Sequence, residues 1–161
     1  MGAVARKSRK QPTPVRASLR DDSELRPQVQ DGLQGLNTGD IDYLEGSLRQ
    51  EFADSLNLDM ALSGEFPNEP RWDYLVGHRP SCKVVGVEVH PAGGQVSDVI
   101  EKKRAACHQL GPHLRDGHGV ALWLWVASGS VGFLDMERVR RRLDQAGITF
   151  AGSRILAKHV P

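Results

Sequence analysis

Residues 71–93 of the chain, RWDYLVGHRPSCKVVGVEVHPAG, contain two apolar runs, each interrupted by one acid. Residues 71–77 and 83–90 are rich in Val, Leu, Tyr and Trp, which predicts two β-strands, and the short HRPSC link favours a hairpin. The acids, Asp73 and Glu88, occupy positions where a buried strand usually has an apolar side chain. These two strands decide the fold, because the rest of a sheet must be built around them.

The alternation of side chains along a strand determines which residues share a face of the sheet. In the second strand Gly86, Glu88 and His90 point to one face, and in the first strand Asp73 points the same way as Leu75. A hairpin or a parallel pairing of the two strands can therefore bring Asp73 beside Glu88. Gly86 leaves open space on the same face.

Five further segments show the apolar patterns of helices and strands. Residues 38–59 predict a first helix, residues 95–115 a second and residues 133–147 a third, because apolar side chains recur at three- and four-residue steps. Residues 120–127, VALWLWVA, predict a strand covered on both faces, and residues 154–160, RILAKHV, predict an edge strand. This order predicts an α/β domain with a central mixed sheet of four to five strands flanked by helices.

Length and composition indicate one core of ordinary size, since the 161 residues are 39% hydrophobic and 25% charged. Residues 1–40 are polar with scattered Pro and Gly, so we expect a disordered tail, followed by a single domain over residues 41–161. The tail is basic: residues 1–20 carry six bases and no acid, although the net charge of the chain is +1. We expect no membrane span and no signal peptide, and the two thiols, Cys82 and Cys107, are expected to stay reduced, which favours the cytoplasm.

Two carboxylates side by side in a partly buried sheet repel each other and are costly to desolvate. A divalent cation such as Mg²⁺ or Mn²⁺ compensates for both effects, because carboxylate oxygens, backbone carbonyls and water are its preferred ligands. Such a cation activates water and stabilises negative charge on a phosphate, so Asp73 and Glu88 predict hydrolysis of a phosphodiester. The alternative is that both acids lie on a solvated face and pair with Arg71, Arg79 or Lys83.

The pair WD at Trp72 and Asp73, the triplet EVH from Glu88 to His90 and the order of the elements resemble the PD-(D/E)xK superfamily of nucleases. The superfamily includes many restriction enzymes and Holliday-junction resolvases. The resemblance covers about residues 41–158 and implies a restriction-endonuclease-like fold in which Asp73 and Glu88 hold Mg²⁺. Trp72 stands where the motif has proline, and His90 stands where it has lysine.

The resemblance implies roles for further ionisable residues. In the family a glutamate on the first helix often completes the site, which points to Glu45 or Glu51. The lysine of the family orients or activates the attacking water; His90 can replace it, or Lys102 or Lys103 on the following helix can reach the site. The remaining alternative is a site that has lost catalysis and retains only the fold.

Two predicted helices carry clusters of basic residues, in the segments EKKRAA and ERVRRRLDQ. Either cluster can bind a phosphate backbone, and we expect Lys103, Arg138 and Arg141 to contact nucleic acid. The alternative is a solvated helix face in which neighbouring acids balance the charge.

The sequence therefore predicts a nuclease that hydrolyses phosphodiester bonds in DNA or RNA with Mg²⁺ or Mn²⁺. The residues predicted to form the site are Asp73, Glu88, His90, Lys102 and, as a third metal ligand, Glu51. Because no separate domain for reading nucleic-acid sequence is visible, the alternatives are a homodimer, a protein partner or recognition of nucleic acid by its shape. The alternative function is a catalytically inactive module of the same fold that binds a protein or a nucleic acid.

Overall fold

A computed structural model of the chain describes residues 11–93, 96–130 and 136–161. Six strands form one sheet in the order β1-β2-β3-β4-β5-β6. They are β1 (Gln30–Asp31), β2 (Phe52–Asn57), β3 (Tyr74–His78), β4 (Lys83–Pro91), β5 (Val120–Ser128) and β6 (Ile148–Phe150). Neighbours from β1 to β4 are antiparallel, whereas β4, β5 and β6 run parallel. The predicted α/β class with a mixed sheet is confirmed, although the sheet has six strands instead of four to five.

The helices of the described residues are α1 (Pro14–Ser18), α2 (Thr38–Ile41), α3 (Leu58–Leu62), α4 (Val96–Leu110) and α5 (Met136–Ala146). α4 and α5 connect the parallel strands, which need long crossover connections of this kind. They correspond to the second and third predicted helices, and the predicted beginning of the third, at residues 133–135, lies outside the described residues. Gly147 ends α5 with a φ of 70°, a conformation that glycine adopts without strain.

The sheet separates two hydrophobic cores, and β4 contributes to both. Val84 packs in the core beneath α4 and α5, whereas Val85 and Val87 pack in the core on the opposite face. Because side chains alternate along a strand, Glu88 points to the same face as Val84. The acid of β4 is thus directed at the helix that follows it in the chain.

The predicted first helix is wrong over most of its length. Only α2 and the first two residues of α3 are α-helical within it; residues 46–51 form a 3₁₀ helix and the chain then enters β2. Residues 52–56 are buried on both faces of the sheet, so their apolar side chains lack the two-residue period of a half-exposed strand. Phe52 and Leu56 are four residues apart, which imitates a helix face, but pairing with β3 determines the conformation.

The N-terminal part of the described chain packs against the sheet. Val15 and Leu19 are 0% exposed, and two backbone N–H groups at the start of α1 donate hydrogen bonds of 3.1 and 3.0 Å to the carboxylate of Asp54 on β2. The predicted disordered tail is therefore wrong for residues 11–40, whereas residues 1–10 lie outside the described residues. The apolar side chains of this segment are too widely spaced to give a periodic signal.

The predicted strand at residues 154–160 is also wrong. This segment contains an isolated bridge between Ile155 and Leu44 and a short 3₁₀ helix, while the edge strand is β6, directly after Gly147. Among the described residues, no helix combines the length and apolarity required to cross a bilayer.

Candidate active site

The two acids of the opening stretch are cross-strand neighbours. β3 and β4 form an antiparallel hairpin in which Tyr74 pairs with Val87, so Asp73 lies opposite Glu88. The N–H group of Asp73 donates a 3.0 Å hydrogen bond to Oε2 of Glu88, and the N–H group of Val89 donates a 2.9 Å bond to Oδ2 of Asp73. The predicted juxtaposition of the two carboxylates is confirmed, and a hairpin produces it.

Lys102 reaches this pair from α4. Its Nζ atom lies 2.5 Å from Oε1 of Glu88. Val99 and Ala106 of α4 are 0% exposed and face the sheet, and Lys102 lies between them on the same side of the helix because helical neighbours recur at three and four residues. Its side chain is 23% exposed and that of Glu88 is 0% exposed, so Lys102 covers the acid while its ammonium stays near solvent.

Lys103, the neighbouring lysine, is directed elsewhere. Its Nζ atom donates a hydrogen bond to the carbonyl oxygen of Ala146 at the end of α5 and lies 5.9 Å from the centre of the Trp123 ring. A lysine at a helix C-terminus satisfies a carbonyl that has no partner within the helix. Lys103 therefore joins α4 to α5, and we no longer expect it to contact nucleic acid. Arg138 and Arg141 of α5 are both exposed.

His90 lies on the open side of the pair. Its Nδ1 atom is 3.7 Å from Oε1 of Glu88, and its side chain is 19% exposed. The carbonyl oxygen of His90 accepts a 3.0 Å hydrogen bond from the indole N–H of Trp125 on β5, which fixes the backbone at this point. His90 and Lys102 thus approach the same oxygen of Glu88.

The predicted third acid is not at the site. Oε2 of Glu51 lies 3.2 Å from Nε2 of His78, and His78 is five residues beyond Asp73 along the hairpin strand. Five strand residues span about 17 Å, so Glu51 belongs to the opposite end of the hairpin and its prediction as a metal ligand is wrong. Glu45 lies at the edge of the other core, where its N–H group donates to the carbonyl oxygen of Ile155.

Two other acids lie near Asp73, and both raise its pKa. Asp40 of α2 accepts a 2.5 Å hydrogen bond from the hydroxyl of Tyr74. Asp59 of α3 accepts a 2.9 Å bond from Nε of Arg71, and its backbone N–H donates to the carbonyl oxygen of Asp73. Neither acid could be recognised from the sequence pattern, because Asp40 resembles a helix cap and Asp59 lies in the first turn of a short helix.

The electrostatics of the pair follow from its burial. Burial raises the pKa of Glu88 to about 8, and the negative charge of Asp73 adds to this effect while Lys102 opposes it. Burial also raises the pKa of Asp73. Burial alone would lower the pKa of Lys102, but the charges of Glu88 and Asp73 outweigh it and raise this pKa above its usual value. Ionisation of both acids is thus costly, and a cation beside them is favoured.

Gly86 has a packing role instead of leaving space at the site. A Cβ atom at this position would lie 2.7 Å from the ring of Trp123 and 3.0 Å from Nε1 of Trp72. The two indoles pack edge to face with their centres 5.0 Å apart. Gly86 is therefore required by the tryptophan pair, and Trp72 at the motif's proline position is a core residue.

A divalent cation fits part of this donor set. Among the described residues, no group of three or more His, Cys, Asp and Glu side chains is arranged to hold a metal ion. Mg²⁺ is nevertheless commonly bound by one or two carboxylates, with water and substrate phosphate oxygens as its other ligands. Asp73 and Glu88 supply this minimal set, and a bound cation would take over the charge compensation that Lys102 provides.

No family model, curated protein or solved structure matches this chain.

Proposed function

We propose that the chain is a metal-dependent nuclease of the PD-(D/E)xK type that hydrolyses phosphodiester bonds in DNA or RNA. The observation that carries this proposal is the pairing of Asp73 with Glu88 across the hairpin, with the ammonium of Lys102 2.5 Å from Oε1 of Glu88. One acid directly before β3, one acid on β4 and one lysine are the three groups that the motif requires. Mg²⁺ or Mn²⁺ held by the two acids would neutralise the phosphate and increase the acidity of water.

Each residue of the site has a distinct role in this proposal. Asp73 and Glu88 would hold the cation, which would supply the charge that binds the phosphate. Lys102, from α4, takes the place of the motif lysine and positions the attacking water through its N–H groups. His90, which is more exposed than Glu88, accepts or returns a proton at the solvent side. Lys102 and His90 therefore share the functions that one lysine has in the motif.

The order of elements supports the same proposal. From the β3–β4 hairpin the chain passes to α4, β5, α5 and β6, and this part agrees with the order on which the resemblance to these nucleases rests. The long first helix of that order is missing, and with it the glutamate that would have been the third ligand. Asp40 and Asp59 lie near Asp73 instead, and they add negative charge around it.

A cleavage assay with one matched pair of variants tests the proposal. Single- and double-stranded DNA and RNA are incubated with the protein in Mg²⁺, Mn²⁺ or EDTA. We expect metal-dependent cleavage that Glu88→Gln reduces at least about 100-fold, because the buried ligand becomes neutral. Glu101→Gln is the control, since Glu101 is exposed on α4 and pairs with Arg104. Absence of cleavage on every substrate, together with absence of Mn²⁺ binding, would contradict the proposal.

One observation favours the second candidate, an inactive module that binds a protein or a nucleic acid. Glu88 is 0% exposed, and both of its oxygens already have partners, in the N–H group of Asp73 and in Lys102. A metal ion stabilises such a carboxylate less, because its oxygens already have partners. This candidate predicts nucleic-acid or protein binding that is equal in EDTA and in Mn²⁺ and that Glu88→Gln leaves unchanged.

A further inference from the structure

A small cavity opens between α5 and the edge strand β6. Its volume is about 150 Å³, well below the several hundred Å³ of pockets for drug-sized ligands. This volume accommodates one planar ring system. Six of the residues that line it define its chemistry: Arg140, Leu143, Asp144, Ile148, Thr149 and Phe150.

The cavity has an apolar floor and a charged rim. Leu143 and Ile148 form the floor and are 1% and 2% exposed. Arg140 and Asp144 lie one helical turn apart on the exposed side of α5, and within the described residues neither side chain forms a hydrogen bond or an ion pair. An unpaired guanidinium and an unpaired carboxylate therefore stand at the mouth of an apolar pocket. They suit a ligand that is flat, has N–H donors and carries negative charge.

Phe150 forms the aromatic wall and aligns the cavity with the candidate active site. Its ring packs on Trp125 with centres 4.7 Å apart. Glu88 pairs with Trp125, and Trp125 pairs with Phe150, so the three residues form one row across β4, β5 and β6. Neighbouring strands are about 4.8 Å apart, which places Phe150 about 10 Å from Glu88 on a Cα to Cα basis. Trp125 and Phe150 belong to the core beneath α4 and α5, the face to which Glu88 points.

We propose that this cavity binds one unpaired nucleobase of the substrate, with a preference for guanine. Guanine has two adjacent N–H donors on its pairing edge, which the carboxylate of Asp144 can accept together, while its ring lies against Phe150. Arg140 contacts the phosphate of the same nucleotide. Because a base must leave a duplex to enter so small a cavity, the substrate class is single-stranded nucleic acid or an unpaired end.

The spacing to the candidate site agrees with this assignment, which rests on the proposed nuclease function. A nucleic-acid strand advances about 3.4 Å per nucleotide when stacked, so 10 Å corresponds to about three nucleotides, or to fewer in a stretched strand. A guanine in the cavity would thus direct cleavage to a phosphate close to it in the strand.

Titration of the protein with the four nucleoside 5′-monophosphates, followed by amide NMR shifts in EDTA, tests the cavity without any cleavage. We expect guanosine monophosphate to bind most tightly and to shift the amides of Thr149 and Phe150. Phe150→Leu should weaken this binding about tenfold, and Asp144→Asn should remove the preference for guanine. Glu137→Gln is the control, because Glu137 is exposed on the same helix and does not line the cavity.

The outcomes separate this inference from the proposed function. If no monophosphate binds at millimolar concentration, or if all four bind equally and Asp144→Asn and Phe150→Leu have no effect, the inference is wrong even when the protein cleaves nucleic acid. If guanosine monophosphate binds as expected but no substrate is cleaved, the cavity remains a base-binding site and the nuclease proposal fails. A thermal unfolding measurement on Phe150→Leu establishes that the variant is folded.

Discussion

Asp54 and Glu88 are both 0% exposed, but they are compensated in different ways. Asp54 accepts hydrogen bonds from two backbone N–H groups of α1, and no ion pair involves it in the described residues. Glu88 accepts one backbone N–H group and the ammonium of Lys102, beside a second acid. Backbone groups of a folded helix cannot be exchanged, whereas a side-chain cation can be replaced by another cation. The kind of compensation, and not burial, distinguishes a structural acid from a candidate ligand.

The largest expected effect is a pH dependence of stability that originates at Glu88. Burial raises its pKa from 4.5 to about 8 on folding. Between these values the folded state holds a proton that the unfolded state has lost, so the free energy of unfolding falls as the pH rises from 4.5 to 8, by up to about 5 kcal/mol. Urea unfolding at a series of pH values measures this fall. If the free energy of unfolding of Glu88→Gln fell equally steeply with pH, the pH dependence would originate from other groups.

A loss of about 3 kcal/mol is expected when the carboxylate of Asp54 is removed. In Asp54→Ala one buried and one partly buried N–H group of α1 lose their acceptor, and an unsatisfied buried donor costs about 1–3 kcal/mol. Unlike Glu88→Gln, this variant should retain its cleavage rate per folded molecule. Urea unfolding provides the measurement, with Asp22→Ala as the control because Asp22 is exposed and no ion pair involves it in the described residues. Equal stability of the two variants would show that the bonds to α1 contribute nothing.

The hairpin and its two acids could be predicted because their signal is local. Two apolar runs joined by a short link favour pairing with each other as a hairpin, and strand alternation then places Asp73 beside Glu88. The lysine that reaches the candidate site could be predicted only as one of two neighbouring residues. Lys102 and Lys103 both lie three or four residues from Val99 and from Ala106, so both are on the sheet side of α4. The position of α4 over the sheet places Lys102 beside Glu88 and Lys103 beside the end of α5.

The remaining features depend on contacts that no short window contains. β2 is buried on both faces, so its sequence has no strand period. Asp54 accepts hydrogen bonds from two N–H groups that lie 39 and 38 positions earlier in the chain. These bonds hold the N-terminal segment on the sheet. Asp40 approaches Tyr74 across 34 residues. The acids around Asp73 could therefore be identified only after the chain had folded.

The smallest effect on stability is expected from Lys102→Met. Although the variant removes the partner of Glu88, at pH 6 this acid is already largely protonated because its pKa is about 8. The free energy of unfolding at pH 6 should therefore change by about 1 kcal/mol or less, and the loss should grow above pH 8. In Asp54→Ala, by contrast, the backbone N–H groups of α1 lose their acceptor at every pH.

Cleavage by Lys102→Met should fall about 100-fold if the ammonium positions the attacking water. Lys103→Met is the matched control: it loses the hydrogen bond to Ala146 and some stability, but it should cleave normally per folded molecule. Urea unfolding at pH 6 and a cleavage time course on both variants give the two readouts. Should Lys102→Met cleave at the normal rate and unfold as easily as Asp54→Ala, Lys102 would be a structural partner of a buried acid, and Glu88 would belong to the same class as Asp54.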